Sequence, residues 1–231
     1  MNDFKDKVVL VTGAAGNLGQ ATVAAFAKQG ARLVMAGHNS SSLSNIPVDG
    51  MRVKVDLTIE DSVRAMTDAV HKEFSRIDIL ANIAGGFSMG QPMHETGSST
   101  WEHMMNLNAR SVFYCCKAVV PIMLQQGSGR VINVSARAAK EGKAKKGPYC
   151  ESKSAVIALT ESLAAEHKYN NINVNCLLPG TIDTPLNRND MPKADFAKWV
   201  PSSALADVIV FLASDAARCV TGASIPVYGQ S

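Results

Sequence analysis

Short apolar runs rich in β-branched residues alternate with longer stretches of helical periodicity along this chain of 231 residues. The apolar runs predict strands at Val8–Thr12, Arg32–Ala36, Met51–Val55, Ile77–Asn82, Gly129–Val134, Ile172–Leu178 and Ser224–Val227. Helices are predicted between them at Leu18–Gln29, Ile59–Phe74, Thr100–Gln126, Pro148–Lys168 and Ala204–Ala213. Strands that are apolar on both faces and are joined by helices favour a parallel sheet covered on each side. The alternation therefore predicts a doubly wound α/β fold.

No shift in composition divides the chain, so a single domain over residues 1–231 is predicted. With 46% hydrophobic and 19% charged residues, the chain has an ordinary globular composition, large enough for one core. Residues 38–50 are rich in Ser, Asn, Pro and Gly and are predicted to form a loop. Residues 185–201, in which three prolines restrict the backbone, are predicted to form a short lid over a substrate.

Charge and cysteine usage exclude several classes of partner. The net charge of +3 is spread along the chain, which favours neither nucleic acid nor a membrane as partner. Five cysteines, an odd number, and a start unlike a signal peptide favour the reducing cytoplasm, and no metal site is expected. One basic cluster stands out, formed by Lys140, Lys143, Lys145 and Lys146. It is either a solvated loop or an attractor for an anionic substrate.

A glycine-rich turn, Thr12-Gly13-Ala14-Ala15-Gly16-Asn17-Leu18-Gly19, lies between the first strand and the first helix. This is the place where a Rossmann-like sheet binds the pyrophosphate of a dinucleotide, because glycines permit a close approach of the backbone to the phosphates. NAD-selective proteins usually carry a carboxylate at the end of the second strand, where this chain has Gly37 followed by His38. The cofactor is therefore predicted to be NADP or NAD, with NADP slightly favoured.

Tyr149 and Lys153 are spaced four residues apart at the start of a predicted helix, so their side chains share one face. A neighbouring ammonium stabilises a phenolate and lowers its pKa towards the range of general acid–base chemistry. The pair is therefore a candidate catalytic pair, although a Tyr and a Lys at this spacing are also common on exposed helix faces.

Taken together, these features resemble the short-chain dehydrogenase/reductase family from end to end. The resemblance is carried by the glycine turn, Asp56 after the third strand, Asn82-Ile83-Ala84-Gly85 after the fourth, Asn108 in the long helix, Tyr149 with Lys153, and Pro179-Gly180 through Thr184. It implies hydride transfer between a nicotinamide and a small substrate, with Tyr149 passing the proton. Lys153 would hold the nicotinamide ribose and Asn108 would anchor a proton relay.

The resemblance also implies a cofactor contact for each of a set of residues. Asp56 would contact adenine, Asn82 and Gly85 would pass close to the adenosine ribose, and Ile182 with Thr184 would hold the nicotinamide carboxamide. The full expected set is Gly13, Gly16, Asn17, Leu18, Gly19, His38, Asp56, Leu57, Asn82, Ala84, Gly85, Tyr149, Lys153, Pro179, Gly180, Ile182 and Thr184.

The chain departs from the family pattern at Ala136, where most members have a serine that polarises the substrate carbonyl. Ser135 is one residue away, and strand alternation points it to the other side. The altered glycine spacing and the segment after Asp183 resemble quinonoid dihydropteridine reductases, a branch of the family. Gly37 and Asn108 argue against that branch. The substrate is thus a carbonyl, an alcohol or an activated C=N compound, with a dihydropteridine-type reduction and a non-catalytic NAD(P)-binding sensor as alternatives.

Several apolar side chains are candidates either for a substrate pocket or for simple core packing: Phe87, Met89, Met93, Phe196 and Trp199. Arg188 is a candidate for binding an anionic substrate group or for a solvated loop cation. The helices that begin near Thr100 and Pro148 are apolar on more than one face, which predicts a homodimer or homotetramer.

Overall fold

The computed structural model describes residues 4–230, and it places a seven-stranded parallel sheet at the centre of one domain. The strands are β1 Val8–Thr12, β2 Arg32–Gly37, β3 Met51–Lys54, β4 Ile79–Asn82, β5 Gly129–Val134, β6 Ile172–Pro179, the two-residue β7 Ile182–Asp183 and β8 Val200–Pro201, and β9 Ser224–Val227. The helices are α1 Asn17–Lys28, α2 Ser40–Ser44, α3 Glu60–Phe74, α4 Ser98–Met104, α5 Ser111–Gln126, α6 Gly147–His167, α7 Pro185–Asp190 and α8 Ser202–Ala213.

The sheet order is β3-β2-β1-β4-β5-β6-β9, and every neighbouring pair is parallel. The chain therefore winds outward from β1 in one direction and from β4 in the other, as the doubly wound prediction requires. β7 and β8 form a separate two-stranded pair. A crevice for a ligand is expected at the carboxyl ends of β1 and β4, where the strand order reverses.

Alternate residues of the central strands enter two separate hydrophobic cores. In β1, Val8 and Leu10 pack into the core that contains the inner faces of α3, α5 and α6, whereas Val9 and Val11 pack with α1 and α8. All five residues of β1 are buried. Burial on both faces explains why the strand has a continuous apolar run rather than alternating polarity.

The predicted helix Thr100–Gln126 is present, but it begins at Ser98 and is not uniform. Residues Met105–Arg110 form a π-helical turn between α4 and α5. The sequence prediction missed this turn because an apolar period near 3.6 does not reveal one widened turn. The π turn contains Asn108, which is fully buried.

The prediction of a loop over residues 38–50 is corrected in part, because residues 40–44 form the short helix α2. The side chain of Asn39 accepts a hydrogen bond from the backbone N–H of Ser42, and this N-cap stabilises one helical turn in a segment otherwise rich in turn-forming residues.

The continuous helical segment Ser98–Gln126 is long and apolar enough to cross a membrane by length and composition alone. Half of its most apolar stretch is buried within this domain. A core helix of a globular domain meets the same criteria, so the segment is weak support for a membrane span.

Candidate functional site

The glycine-rich turn after β1 packs directly on the chain that follows β4. Gly13 has a φ of +64°, and a Cβ at this position would lie 2.8 Å from the backbone of Ala84. The Thr12 hydroxyl accepts hydrogen bonds from the backbone N–H groups of Ile83 (3.1 Å) and Ala84 (3.2 Å). Only glycine accommodates both the positive φ and the contact, so Gly13 brings the two strand ends together.

The amino end of α1 is arranged as an anion site. Its N-cap is Gly16, no side chain caps the helix, and its first turn contains no acidic residue. A Cβ at Gly19 would lie 2.1 Å from the Gly13 carbonyl oxygen, so the helix packs closely under the turn. Uncapped N–H groups and the positive end of the helix dipole fit a pyrophosphate, and these residues therefore fit the dinucleotide predicted from the sequence.

The ends of β2 and β3 lie side by side at the same edge of the sheet. The backbone N–H of Val55 donates to the Gly37 carbonyl at 2.9 Å. The carboxylate of Asp56 accepts from the Thr58 hydroxyl and backbone, and these bonds, followed by the nearby imidazole of His38, lower its pKa. His38 is exposed, and Asp56 and Leu57 are partly exposed. This places the predicted adenine contacts on an open edge.

Asn82 lies inside the domain rather than at the open edge. Its Nδ2 donates to Asn133 Oδ1 at 2.9 Å, and Asn133 Nδ2 donates to Thr160 Oγ1 at 2.9 Å. All three side chains are buried. The Asn82 Oδ1 is buried without a hydrogen-bond partner. Because the Asn82 side chain is buried, a contact with a dinucleotide would be made by its backbone and by the residues Ile83 to Gly85.

Asn108 holds the chain that follows β4. Its Oδ1 accepts from the Gly86 N–H at 2.9 Å, and its Nδ2 donates to the Gly86 carbonyl at 3.1 Å and to Ser152 Oγ at 3.0 Å. The Ser152 hydroxyl in turn donates to the Tyr149 carbonyl at 2.9 Å. Asn108 thus links the glycines after β4 to the first turn of α6, where Tyr149 lies.

Lys153 carries its charge into the interior of the domain. It is 5% exposed, and its Nζ donates to the Val134 carbonyl at 2.9 Å. Within residues 4–230 the ammonium has no acidic partner. Burial lowers its pKa to about 8. A buried ammonium with one carbonyl acceptor is costly, and such groups are concentrated at functional sites.

Tyr149 lies on the same face of α6, one turn before Lys153, and its ring packs edge-on against Phe87 with 5.0 Å between ring centroids. The expectation that Lys153 lowers the pKa of Tyr149 is corrected here. Burial, with a smaller contribution from Cys150, raises the pKa of Tyr149 to about 12. The reason is that the Lys153 ammonium is directed to the Val134 carbonyl, so desolvation of the phenol dominates.

Ala136 and Ser135 lie at the end of β5, both buried. The Ser135 hydroxyl donates to the Lys153 carbonyl at 2.6 Å. The prediction that Ser135 does not simply replace the usual serine agrees with this geometry, since its hydroxyl is used in packing β5 against α6.

The segment after β6 is tied to the sheet and to itself. The Gly180 N–H donates to the Val227 carbonyl, and the Thr184 hydroxyl caps α7 by accepting from the Asn187 N–H. Arg188 forms two hydrogen bonds with Asp183, at 2.6 Å and 2.7 Å. The sequence left two roles open for Arg188, an anionic-substrate contact or a loop cation. The structure favours the loop cation, because the charge of Arg188 is already paired with Asp183.

The candidate pocket side chains separate into two groups. Phe87, Met89 and Met93 are exposed. Trp199 is buried and packs against Phe196 with 4.8 Å between ring centroids. Of the first group, Phe87 packs against the Tyr149 ring, whereas Phe196 and Trp199 pack against each other within the segment predicted to form a lid.

Within the described residues, Tyr149, Lys153, Asn108 and the glycines after β1 and β4 are brought to one edge of the sheet. No group of three or more His, Cys, Asp or Glu side chains in that part of the chain is placed to hold a metal ion. The sequence analysis gave no separate role to Thr12, Asn133 or Ser152, all of which are buried polar residues. Their polarity within buried elements was the available signal.

A doubly wound sheet with this glycine turn, and with a partly buried Tyr149 one helical turn before the buried Lys153, is typical of oxidoreductases that use a nicotinamide dinucleotide. Residues 7–195 match the model of the short chain dehydrogenases. The chain is 34% identical to the Danio rerio dehydrogenase/reductase SDR family member 6, over 99% of this chain and 98% of that protein. It is 32% identical to the Thermotoga maritima 3-oxoacyl-(acyl-carrier-protein) reductase FabG, over 98% of both chains.

Solved structures agree with the sequence relatives. An NAD⁺-bound xylitol dehydrogenase superposes with a TM-score of 0.91 at 28% identity, covering 98% of this chain and 99% of the other. A levodione reductase superposes with a TM-score of 0.90 at 28% identity, covering 98% and 97%. The chain belongs to the short-chain dehydrogenase/reductase family. It is an oxidoreductase, and the alternative of a non-catalytic sensor is thereby disfavoured.

Proposed function

We propose that this protein transfers a hydride between NAD(P) and a carbonyl or alcohol carbon, or an activated C=N bond, of a small molecule, with Tyr149 as acid and base. The observation that carries the proposal is the buried Lys153, which lies one helical turn after Tyr149 and uses a single carbonyl acceptor. An ammonium has three donors. The remaining donors of Lys153 are suited to the hydroxyls of a bound ribose beside the phenol.

Different residues of the chain have different roles in the proposed reaction. Gly13, Gly16 and the amino end of α1 would bind the pyrophosphate of the cofactor. The absence of a side chain at Gly85 leaves room for Asn108 and Lys153 beside the chain that follows β4. The bound nicotinamide supplies or accepts the hydride. In reduction, Tyr149 donates its Oη proton to the substrate oxygen, and its raised pKa of about 12 keeps the phenol protonated and ready to donate. Asn108 orients the first turn of α6 through Ser152.

The names of two relatives support a class of substrate. Relatives with 34% identity are named cis-4-hydroxycyclohexanecarboxylate dehydrogenase, from Sinomonas cyclohexanicum, and D-threitol dehydrogenase, from Mycolicibacterium smegmatis. Both names describe oxidation of a secondary or polyol hydroxyl. We infer that a small alcohol and its carbonyl product are the first candidates for this chain.

The second candidate is reduction of a quinonoid dihydropteridine. It is favoured by Ala136, since a site without that hydroxyl suits a substrate that needs less polarisation. The test is turnover of purified protein with a panel of secondary alcohols, ketones and quinonoid dihydropterin, with Tyr149→Phe as the variant and Tyr169→Phe, at an 88% exposed tyrosine, as the control. Turnover lost only in Tyr149→Phe supports the proposal. Turnover that survives in Tyr149→Phe overturns the role of Tyr149.

We propose NADP as the preferred cofactor, because the end of β2 carries Gly37 and no carboxylate that would repel a 2′-phosphate. Gly37→Asp is expected to lower kcat/KM for NADPH by about tenfold relative to NADH. The three atoms nearest to a Cβ at Gly37 all belong to the Leu43 side chain, the closest at 3.3 Å, and a small shift of this side chain is expected to let the variant fold. A native enzyme that prefers NADH contradicts the proposal.

We further propose that the protein is a homodimer or homotetramer, that its substrates are small molecules, and that it is located in the cytoplasm. Phe113 and Leu124 of α5 are 47% and 40% exposed, which supports packing of this helix between subunits. A reducing compartment fits the four buried cysteines Cys115, Cys116, Cys150 and Cys176, which form no disulfide in the described chain. Sedimentation at micromolar concentration tests the oligomer, and a monodisperse monomer contradicts it.

A further inference from the structure

A lysine, a phenylalanine and the candidate catalytic tyrosine form a row at the open edge of the site. Lys146 Nζ lies 5.1 Å from the centroid of the Phe87 ring, and that centroid lies 5.0 Å from the centroid of the Tyr149 ring. The distance from the Lys146 ammonium to the centroid of the Tyr149 ring therefore cannot exceed the sum of these two distances. A molecule that reacts at Tyr149 and extends along Phe87 reaches Lys146 with a short carbon chain.

The charge of Lys146 is available to a ligand. Two cations of the same stretch are paired, since Arg137 and Lys143 both bond to Glu141. Lys140 and Lys145 form no ion pair within the described residues, but only Lys146 lies over the Phe87 ring. Between residues 4 and 230 no carboxylate forms an ion pair with Lys146. Its partner is the face of Phe87, which is itself 59% exposed. A cation on an aromatic face keeps its N–H donors free for an anion.

The backbone holds Lys146 in place relative to Tyr149. Lys146 is the N-cap residue of α6: its N–H donates to the Lys143 carbonyl, and its carbonyl accepts from the Cys150 N–H. The preceding residue, Lys145, has a φ of +64°, and its carbonyl accepts from the Gly90 N–H at 2.9 Å. This bond ties the segment that carries Lys146 to the segment that carries Phe87. A non-glycine residue in the left-handed region is strained, and such strain is typical of functional segments.

Resting on the proposed function, we propose that the substrate of this enzyme carries a carboxylate, which Lys146 binds while the carbon chain lies on Phe87 and the reacting carbon reaches Tyr149. Lys146 is then a specificity-determining residue, and the substrate is a hydroxy acid or the corresponding oxo acid. A single flexible ammonium suits a singly charged carboxylate, whereas a phosphate ester favours a larger set of donors.

The first test measures binding without turnover. Protein loaded with NADP is titrated with cyclohexanecarboxylate and with cyclohexanecarboxamide, which has nearly the same shape and no charge, in a calorimeter. The acid is expected to bind about tenfold more tightly than the amide, as one charge-assisted contact provides. The preference should weaken as KCl rises. Equal binding, or no binding of either compound, overturns the proposal.

Three variants assign the preference to Lys146. Lys146→Met keeps an aliphatic stem and removes the charge, and it should abolish the preference for the acid; Lys146→Arg should retain it. Lys168→Met is a matched control, because Lys168 Nζ also lies over an aromatic ring, 4.8 Å from the centroid of Tyr169, but at the far end of α6. The control should bind like the native protein. A preference that survives in Lys146→Met overturns the proposal.

The second test separates this inference from the proposed function. The kcat/KM of a short hydroxy acid is compared with that of its methyl ester. If the hydroxy acid and its ester are oxidised equally well and the oxidation depends on Tyr149, the proposed function stands and the carboxylate site is refuted. The opposite outcome is also distinguishable. If the protein prefers carboxylate ligands through Lys146 but oxidises no alcohol and reduces no ketone or quinonoid compound, the carboxylate site stands and the proposed function is refuted.

Discussion

Gly85 lies so close to Asn108 that a Cβ at Gly85 would come within 2.7 Å of Asn108 Oδ1 and 3.0 Å of Lys153 Nζ. The backbone after β4 therefore closes directly over the two buried polar side chains of the site. This contact joins the cofactor-binding edge of the sheet to the helix that carries Tyr149, and it makes the position sensitive to a single methyl group.

Gly85→Ala is expected to displace Asn108 and Lys153, because the added methyl overlaps polar atoms that have no space to retreat. The free energy of unfolding should fall by about 1–3 kcal/mol, and cofactor affinity should fall with it. Denaturant unfolding and a fluorescence titration with NADPH measure both. Gly90→Ala, in the same segment with no atom within 4 Å of its Cβ, is the control and should behave like the native protein. Equal losses in both variants would show that the segment, not the contact, is sensitive.

Asn108→Ala is expected to lower the free energy of unfolding by about 1–3 kcal/mol, since it removes the side-chain partner of the partly buried Gly86 N–H and carbonyl. Asn106→Ala lies in the same π turn and serves as the control. The Oδ1 of Asn106 is buried without a partner, so its removal should cost less than about 1 kcal/mol. Thermal unfolding of the two variants measures both losses of stability. A comparable loss of stability in the two variants would contradict the role of Asn108 as the link to Gly86.

Lys153→Met is expected to abolish turnover and to stabilise the fold at pH 7 by about 1–3 kcal/mol, because it removes a buried charge with a single acceptor. Burial lowers the pKa of Lys153 from 10.5 to about 8. Between these two values the unfolded chain binds the proton more tightly, so the native protein gains stability as the pH rises through this range.

The stability gap between Lys153→Met and the native protein should therefore be largest below pH 8 and close as the pH approaches 10.5. Tyr149, whose pKa is raised, acts in the opposite sense above pH 10 but is present in both proteins. Urea unfolding at pH 7, 9 and 10 measures the gap. A gap that does not change with pH would show that the Lys153 ammonium is not penalised by burial.

Ala136→Ser is expected to raise kcat for simple ketones by about tenfold or more, since it places a hydroxyl where the family polarises the substrate carbonyl. Ser135→Ala should instead lower the free energy of unfolding by about 1–2 kcal/mol, because its hydroxyl bonds to the Lys153 carbonyl. Steady-state kinetics and thermal unfolding of both variants separate chemistry from packing. Ketone turnover lost in Ser135→Ala with an unchanged melting temperature would reverse these roles.

The strand and helix pattern was predictable because it rests on local periodicity. The predicted bounds of β1, β5 and β9 agree with the structure residue for residue. The apolar runs that mark β1 and β5 are buried on both faces, whereas the edge strand β9 is partly exposed. The glycine turn and the spacing of Tyr149 and Lys153 likewise depend on neighbours within one or two turns. The family followed from these features in their order along the chain, and the comparisons confirm it.

The tertiary structure decided what depends on residues far apart in the sequence. The chain of hydrogen bonds from Asn82 to Thr160, the link from Asn108 to Gly86 and the row from Lys146 to Tyr149 each join separate elements. The pKa of Tyr149 was predicted in the wrong direction for the same reason. The spacing of Tyr149 and Lys153 placed an ammonium on its face of the helix, but only the packing of α6 on β5 determined that this ammonium bonds to Val134 and that burial dominates. Strands, helices and turns depend on residues that are adjacent in the sequence. The hydrogen-bond partners and the desolvation of a side chain depend on residues that only the folded chain brings into contact with it.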